Sequence, residues 1–505
     1  MGKKKLFMTI IISGLAFSIN YLISFFLTSY VTDNIGIEAN GFISLAKTFA
    51  SYATIATTAL NSYASRYITL EYHKGNIEKA NIYFNSVLFG NFGCGIALLF
   101  ACAMFTIVID KALKIPSEMI SDVRLLFILV FINLFVSLIS TAFQSAAIIK
   151  NKLIQVSIFK GCSYFIEAVT LLAIFTFLTP HVYFVGVGMI FATLFISSAH
   201  YAINRKYTPE LIISISYFRL SAVKELVVNG LWNSINSLGN TLNSGLDLLV
   251  SNSLLSALAM GQVSIVKTMV SIFSNLYQMI AQPFEPIFLK NYANENKSDL
   301  ISSLKTAMKV SGLISNLAFA GVVSFGLCYY KLWVPNQNCL LLYRLTVIAV
   351  ASSIFEGAIY PLYYIYTLTV KNKVPCVITI IGGVLNVLGM YILIKNTDLS
   401  VYAVFVTTAV IMLFINGVTN PVYMSRCLKL PWITFYPELI RHVISCAVMT
   451  IAFMFISKIL KPYSWVTLII TLLISCIVGL LIHVLIVFDF SDIRDITQQV
   501  VKKLK

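Results

Sequence analysis

Ala39-Asn-Gly-Phe-Ile-Ser-Leu-Ala-Lys-Thr48 returns 220 residues later as Ala259-Met-Gly-Gln-Val-Ser-Ile-Val-Lys-Thr268, with five of ten positions identical and no gap. Gly, Ser, Lys and Thr kept in register are not what a shared bias toward Leu and Ile would leave, so the stretches read as copies. At the same shift Asn20, Leu22 and Ser24 fall on Asn240, Leu242 and Ser244. Both copies sit in strongly apolar surroundings. The chain is 58% hydrophobic and 11% charged, with a mean hydropathy of +0.87, so its solvent is lipid.

Apolar runs of about 20 residues or more recur from end to end, each long enough for a helix to cross a hydrocarbon core. Strand-like alternation is absent, which excludes a barrel. The runs predict about 14 spans, near residues 6–31, 41–66, 83–109, 123–149, 153–178, 182–204, 224–255, 261–288, 306–330, 343–370, 375–394, 399–425, 437–457 and 464–488. The predicted fold is therefore an all-α polytopic membrane protein. Spans 1 and 2 correspond to spans 7 and 8, so the repeat is six helices long. An even number of spans keeps both copies in one orientation, related by a pseudo-twofold axis along the membrane normal with a polar cleft between them. The expected divisions are a bundle over 1–204, a second over 205–425, and two additional helices with a tail over 426–505.

Lys3, Lys4 and Lys5 precede an apolar run from Leu6 to about Val31, too long for a signal-peptide core, and the run reads as a retained first span. A cytoplasmic N-terminus puts roughly 24 Lys/Arg inside and roughly 8 outside. Inner positions include Arg205, Lys206, Lys371, Lys373, Arg426, Lys429 and the tail Lys502, Lys503 and Lys505. Both termini are then cytoplasmic, in a multi-pass plasma-membrane protein. The net charge of +16 follows from this topology. No basic block interleaved with aromatics points to nucleic acid. Nine scattered cysteines without ligand spacing read as small core residues, with Cys328 and Cys339 expected free rather than paired. No metal site or cofactor is expected.

Span 7 carries Asn229, Asn233, Asn236, Asn240, Asn243 and Asp247, spaced by four, three, four, three and four along one helix face. Span 2 repeats the design with Lys47, Ser51, Thr54, Thr58, Asn61 and Ser65, and span 8 with Lys267, Ser271, Ser274, Gln278, Gln282 and Glu285. Polar groups left unpaired in lipid cost several kcal/mol each, so the stripes either pack on one another or line water. Single polar residues suffice as glue, and the density here favours a watery cleft. Lys47 and Lys267 would face it at equal depth, and two such cations suit a diphosphate. For Lys267 the alternative is a salt bridge to Asp247. Lys47 has no such acid, because Leu27 stands at the matching place; its alternative is snorkelling to the outer interface. Arg66 and Glu285 read either as an inner gate or as ordinary surface charges. Glu167 in span 5, with Lys160 on its face, and Glu356 in span 10 read as a proton or Na⁺ coupling site or as hydrogen-bonded structural acids. Gly230, Gly239, Gly245, Pro283 and Pro286 would let spans 7 and 8 bend.

With this layout, the segment Gly41 to Arg66 followed by Tyr67-Ile-Thr-Leu-Glu-Tyr72, and the stretch ending Gly245-Leu-Asp-Leu-Leu249, the whole chain resembles the multidrug/oligosaccharidyl-lipid/polysaccharide (MOP) flippase superfamily. Within it, the chain looks like the polysaccharide-repeat-unit (Wzx-type) flippases of bacteria. The resemblance implies transfer of undecaprenyl-pyrophosphate-linked O-antigen or capsule units from the inner to the outer leaflet of the inner membrane by alternating access. It also implies polysaccharide polymerase and glycosyltransferases as partners. Lys47, Arg66, Asp247 and Lys267 are the charged cleft candidates by motif position, with Asn20, Asn236, Asn240 and Asn243 beside them. Span 1 offers Asn20 where the drug-exporting branch has a carboxylate, and the first spans are poorer in arginine than those of lipid II flippases. Those two branches are the alternatives within the superfamily, and an acid facing the cleft in the N-terminal half would favour cation antiport. A membrane enzyme is not expected, since His73, His181, His200, His442 and His483 form no constellation with acids or cysteines and the outer loops are short.

Overall fold

The structure is a computed structural model that describes residues 3–369, 371 and 373–489, with side chains from residue 18 onward except that of residue 244. The tail lysines Lys502, Lys503 and Lys505 lie outside the described residues. The regular structure of the described residues is all helical, without strands. Its long helices are α1 (Lys3–Asn34), α2 (Ile37–Asn61), α3 (Ile77–Ile107), α4 (Ile120–Ser140), α5 (Leu153–Phe177), α6 (Phe184–Tyr207) and α7 (Leu220–Ser244). They continue as α8 (Ala257–Ala281), α9 (Lys297–Trp333), α10 (Cys339–Val350, resuming at Ser353–Ile359), α11 (Lys373–Asn396), α12 (Val401–Phe414), α13 (Tyr436–Leu460) and α14 (Trp465–Val487).

Among the described residues, ten helical segments are long and apolar enough to cross a membrane, or 11 if the halves of α10, bent by 42°, form one span. By length, α1, α2 and α7 complete the expected 14. α2 and α7 fall short in apolarity because they carry the polar stripes.

The repeat is written into the element boundaries. α1 to α6 begin at residues 3, 37, 77, 120, 153 and 184, and α7 to α12 at 220, 257, 297, 339, 373 and 401, offsets of 217 to 220. Even the caps recur. Asn76 accepts from the Lys79 amide at 3.1 Å to start α3, and Asn296 accepts from the Asp299 amide at 3.1 Å to start α9. The residue before each cap is left-handed, Gly75 at φ 78° and Glu295 at φ 55°. α2 and α8 also break at matching points, after Asn61 and Ala281, and Pro283 and Pro286 account for the second break.

Packing divides the chain between Ser264 and Ile265 into two compact units. α7 packs with the first unit, along α2. Glycine makes that packing possible: a Cβ on Gly230 would stand 1.9 Å from the Ala59 carbonyl oxygen. One turn on, Ser234 Oγ donates to the Ile55 carbonyl at 3.1 Å, and Tyr52 caps the far end by donating to the Gly245 carbonyl. Gly230→Ala should therefore pry the two helices apart and cost about 1–3 kcal/mol. Gly321→Ala in α9, with nothing near its Cβ position, should gain about 0.5–1 kcal/mol from helix entropy. Thermal unfolding in detergent, followed by size-exclusion chromatography, checks both; equal midpoints would refute the α2–α7 contact.

The first parts of the repeated decapeptides meet each other inside the first unit. Gly41 and Gly261 lie back to back, with a Cβ on Gly41 3.0 Å from the Gly261 nitrogen, and Asn40 Nδ2 donates to Ser264 Oγ at 2.8 Å. The irregular segment from Thr208 to Arg219 is strapped to α3. Asn81 bonds the Glu210 carbonyl and the Ile212 amide at 2.8 and 2.9 Å, and Asn85 bonds the Ile212 carbonyl and the Ser214 amide, both at 2.9 Å. Ser86 accepts from the Arg219 amide at 3.1 Å and donates to its carbonyl at 3.2 Å. All three side chains are buried, so they do for a loop what a neighbouring strand would do.

Candidate functional site

The stripe on α7 divides into two parts. Asn229, Asn233, Asn236 and Asn240 are exposed on the helix surface, whereas Asn243 and Asp247 are buried. The cause is local: α7 ends at Ser244, Gly245 is its C-cap, and Asp247 opens a new short helix, Asp247–Val250. The four-three spacing thus runs across a helix break, and the face it predicts ends there. Asn243 turns back to its own helix, donating to the Gly239 carbonyl at 3.2 Å. Asp247 is close enough to the Tyr52 hydroxyl of α2 for its charge to be felt there.

Lys47 projects from α2 into open space, with Ser51 exposed one turn later. Thr54 and Thr58 satisfy their hydroxyls on the α2 backbone, donating to the carbonyls of Ser51 and Thr54 at 2.7 and 2.8 Å. The exposed Lys47 and the exposed amides of Asn229, Asn233, Asn236 and Asn240 stand on two helices packed together, the α2–α7 wall. Lys47 is not without an acid. The Glu167 carboxylate on α5 lies within electrostatic range of its ammonium, although Leu27 does occupy the place that matches Asp247. The pairing was invisible because it joins spans 120 residues apart. Asn20, half-buried on α1, belongs to the same unit. Arg66 is exposed on the short helix Ala64–His73, 6.0 Å over the Tyr63 ring.

The second unit holds the other candidates. Lys267 is half-buried on α8. Glu285, at the start of the helix Glu285–Ala293, is within hydrogen-bond reach of the Tyr364 hydroxyl. Glu356 lies on the second half of α10, its carboxylate acting on the hydroxyls of Tyr277, Tyr360 and Tyr363. Next to it, α12 loosens into a π-helical turn, Ile415–Thr419. Tyr363 donates to Asn416 Oδ1 at 2.9 Å, Asn420 Nδ2 donates to the same oxygen at 3.0 Å, and Tyr366 donates to Asn420 Oδ1 at 2.9 Å. π-turns inside membrane helices often mark functional positions. Asn416 and Asn420, four apart in span 12, are the signal that sequence reasoning overlooked.

The histidines are less scattered than their sequence separation suggests. His181 Nδ1 is 2.9 Å from Asp122 Oδ2, and the rings of His442 and His483 are 6.2 Å apart, because α13 and α14 form a hairpin. Among the described residues neither pair is part of a group of three or more His, Cys, Asp or Glu side chains that could hold a metal ion. All nine thiols are free; Cys328 and Cys339 donate instead to the carbonyls of Pro462 and Val334.

Comparison with solved structures decides the fold. The lipid II flippase MurJ, in an inward closed conformation, superposes with a TM-score of 0.73 at 13% identity, over 94% of this chain and 98% of its own. The chain has the fold of the MOP superfamily. A multidrug-resistance MATE-family transporter of that superfamily, in its inward-facing conformation, gives a TM-score of 0.63 at 13% identity over 83% of this chain and 99% of its own. By sequence, the uncharacterized membrane protein EpsK of Bacillus subtilis (strain 168) is 24% identical over 412 residues, 81% of either chain. No protein-family model matches. In this MOP fold the present chain differs from a plain stack of apolar spans chiefly at α2 and α7, where the exposed Lys47 and the amide row stand.

Proposed function

We propose that the protein is a flippase that moves an undecaprenyl-pyrophosphate-linked oligosaccharide repeat unit, of O-antigen or capsule type, from the inner to the outer leaflet by alternating access. The observation that carries this reading is Lys47, exposed midway along a bundle helix beside the row Asn229, Asn233, Asn236 and Asn240. A diphosphate needs cations that hold its oxygens without fixed geometry, and a sugar chain needs amides that exchange hydrogen bonds with hydroxyls; the α2–α7 wall offers both. Lys267, at the matching repeat position, is the second cation in this reading. Arg66 and Glu285 act as inner gate charges, and Glu356 with Glu167 as coupling acids for H⁺ or Na⁺. The protein sits in the bacterial inner membrane with both termini in the cytoplasm, as the Lys/Arg bias suggests, and works alongside glycosyltransferases and a polysaccharide polymerase.

Deleting the gene should remove surface polysaccharide and leave its lipid-linked precursor accumulating on the cytoplasmic side, with both restored by the wild-type gene. Unaltered polysaccharide would refute the reading. Glu167 lends weight to a second reading, cation-driven drug export, because it is an acid of the N-terminal half within electrostatic range of Lys47. Intact polysaccharide with altered drug sensitivity in the deletion strain would select it.

A further inference from the structure

The interior of the second unit contains another polar system, built by α9, α13 and α14 and not used by the α2–α7 wall. His442 Nε2 is 2.7 Å from the Ile354 carbonyl and His483 Nε2 is 2.9 Å from the Lys309 carbonyl. A ring nitrogen facing a carbonyl carries the hydrogen, so in both rings Nδ1 is the acceptor. His483 Nδ1 accepts from Ser445 Oγ at 3.1 Å, with Asn316 Nδ2 at 3.4 Å. His442 Nδ1, Asn316 Oδ1, Ser311 Oγ and Ser475 Oγ have no hydrogen-bond partner among the described residues, and all four residues are 2% exposed or less. Four buried polar atoms lacking protein partners in one three-helix seam is the pattern that bound water satisfies.

Both ends of the seam are polar. At one end, Lys309 Nζ is 3.4 Å from Asp489 Oδ2 and 3.9 Å from Glu438 Oε2, a spacing too long for the latter to be a hydrogen bond. Lys305 approaches Glu438 Oε1 at 3.5 Å, and Arg441 bonds both oxygens of Asp489 at 2.9 and 3.0 Å. The Arg441 guanidinium, with Lys309 behind it, holds the Asp489 carboxyl below the usual carboxylate range. At the other end, His442 grips the α10 turn that carries Glu356, and Gly357 lets that turn rest on Ser315. The buried Tyr277, near Cys446, stands beside Ser353 and Glu356.

We infer that this seam binds a file of water that carries protons between the Lys309–Glu438–Asp489 cluster and the Glu356 carboxylate, making the proton the coupling ion of transport. A proton enters from bulk water at the carboxylate cluster, passes from water to water past the two Nδ1 acceptors, and ends on a Glu356 oxygen as a carboxylic acid. The return step releases it. The inference rests on the export reading for its purpose and on the positive-inside bias for assigning the charged end to the cytoplasm. It gives the two helices beyond the repeat a role, since α13 supplies His442 and α14 supplies His483.

The test is infrared difference spectroscopy of the full chain in phosphatidylethanolamine–phosphatidylglycerol vesicles after a pH step. A carboxylic-acid band should appear in the wild type and be missing in Glu356→Gln. Its rise should slow at least tenfold in Asn316→Leu, and also in the milder pair Ser311→Ala with Ser475→Ala, which carries the test if the leucine variant does not fold. An unchanged rate in the folded variants, or no band sensitive to Glu356→Gln at any pH, overturns the inference. Failure of the export reading would show separately, as intact polysaccharide in the deletion strain.

Discussion

Lys47→Ala should leave less than about a tenth of wild-type polysaccharide export while the purified protein keeps its thermal midpoint. A lysine contact to a charged oxygen is worth about 1.5–3 kcal/mol, which corresponds to roughly a 10- to 100-fold loss. Lys47 is exposed, so removing it uncovers no cavity; the acid whose charge it faces is Glu167 on α5. Adding Lys267→Ala should abolish export. Glu167 makes the experiment decisive. If Lys47 serves only to neutralise Glu167, Glu167→Gln combined with Lys47→Ala should restore export, since both charges are then gone. If Lys47 holds phosphate, that double variant stays as defective as Lys47→Ala, and Lys47→Arg keeps a substantial part of the activity. Export is read as the ratio of surface polysaccharide to accumulated lipid-linked precursor.

The second large effect is on stability. Asn81→Ala with Asn85→Ala should lower stability by roughly 3–6 kcal/mol, because four backbone groups of the segment after α6 lose buried partners at about 1–3 kcal/mol each, partly regained from water. Thermal unfolding should fall accordingly. A sharper readout is trypsin: Arg219 is exposed but its backbone is held by Ser86, so the wild-type chain should resist cleavage there and the double variant carrying Ser86→Ala as well should be cut. Equal cleavage of the two would show that the strap is incidental. Loops are ordinarily where a membrane protein tolerates change, and this one is tied down by three consecutive side-chain clasps.

Helices were legible because lipid imposes them, and the repeat because Gly, Ser, Lys and Thr returned at fixed spacing; the caps Asn76 and Asn296 carry the same offset. Local breaks were not legible. Asn243 and Asp247 continue the stripe in spacing but not in space, since Gly245 ends the helix between them. Partners distant along the chain were equally hidden: Glu167 with Lys47, His442 with His483, Asn81 and Asn85 with the segment 208–219. Each joins residues from different helices, and periodicity within one helix carries no information about its neighbour. The polar surplus of α2 and α7 was readable, because amides at four-three spacing in an apolar chain are costly enough to need a reason. The unpartnered atoms between α9, α13 and α14 were not, because isolated serines and histidines in apolar runs resemble ordinary helix packing.

Gly41 and Gly261 hold the same place in two copies of one sequence, and they touch. A residue in contact with its own counterpart is the mark of a symmetric dimer, in which any group on the axis must face itself. Within one polypeptide the pair keeps the close approach of such a dimer: a side chain at Gly41 would meet the backbone of Gly261, and one at Gly261 would meet the backbone of Ile37, so neither position has room for one. Around the contact the two stretches differ, with Gln262 opposite Phe42 and Val266 opposite Ala46 in register. At the contact itself both are glycine.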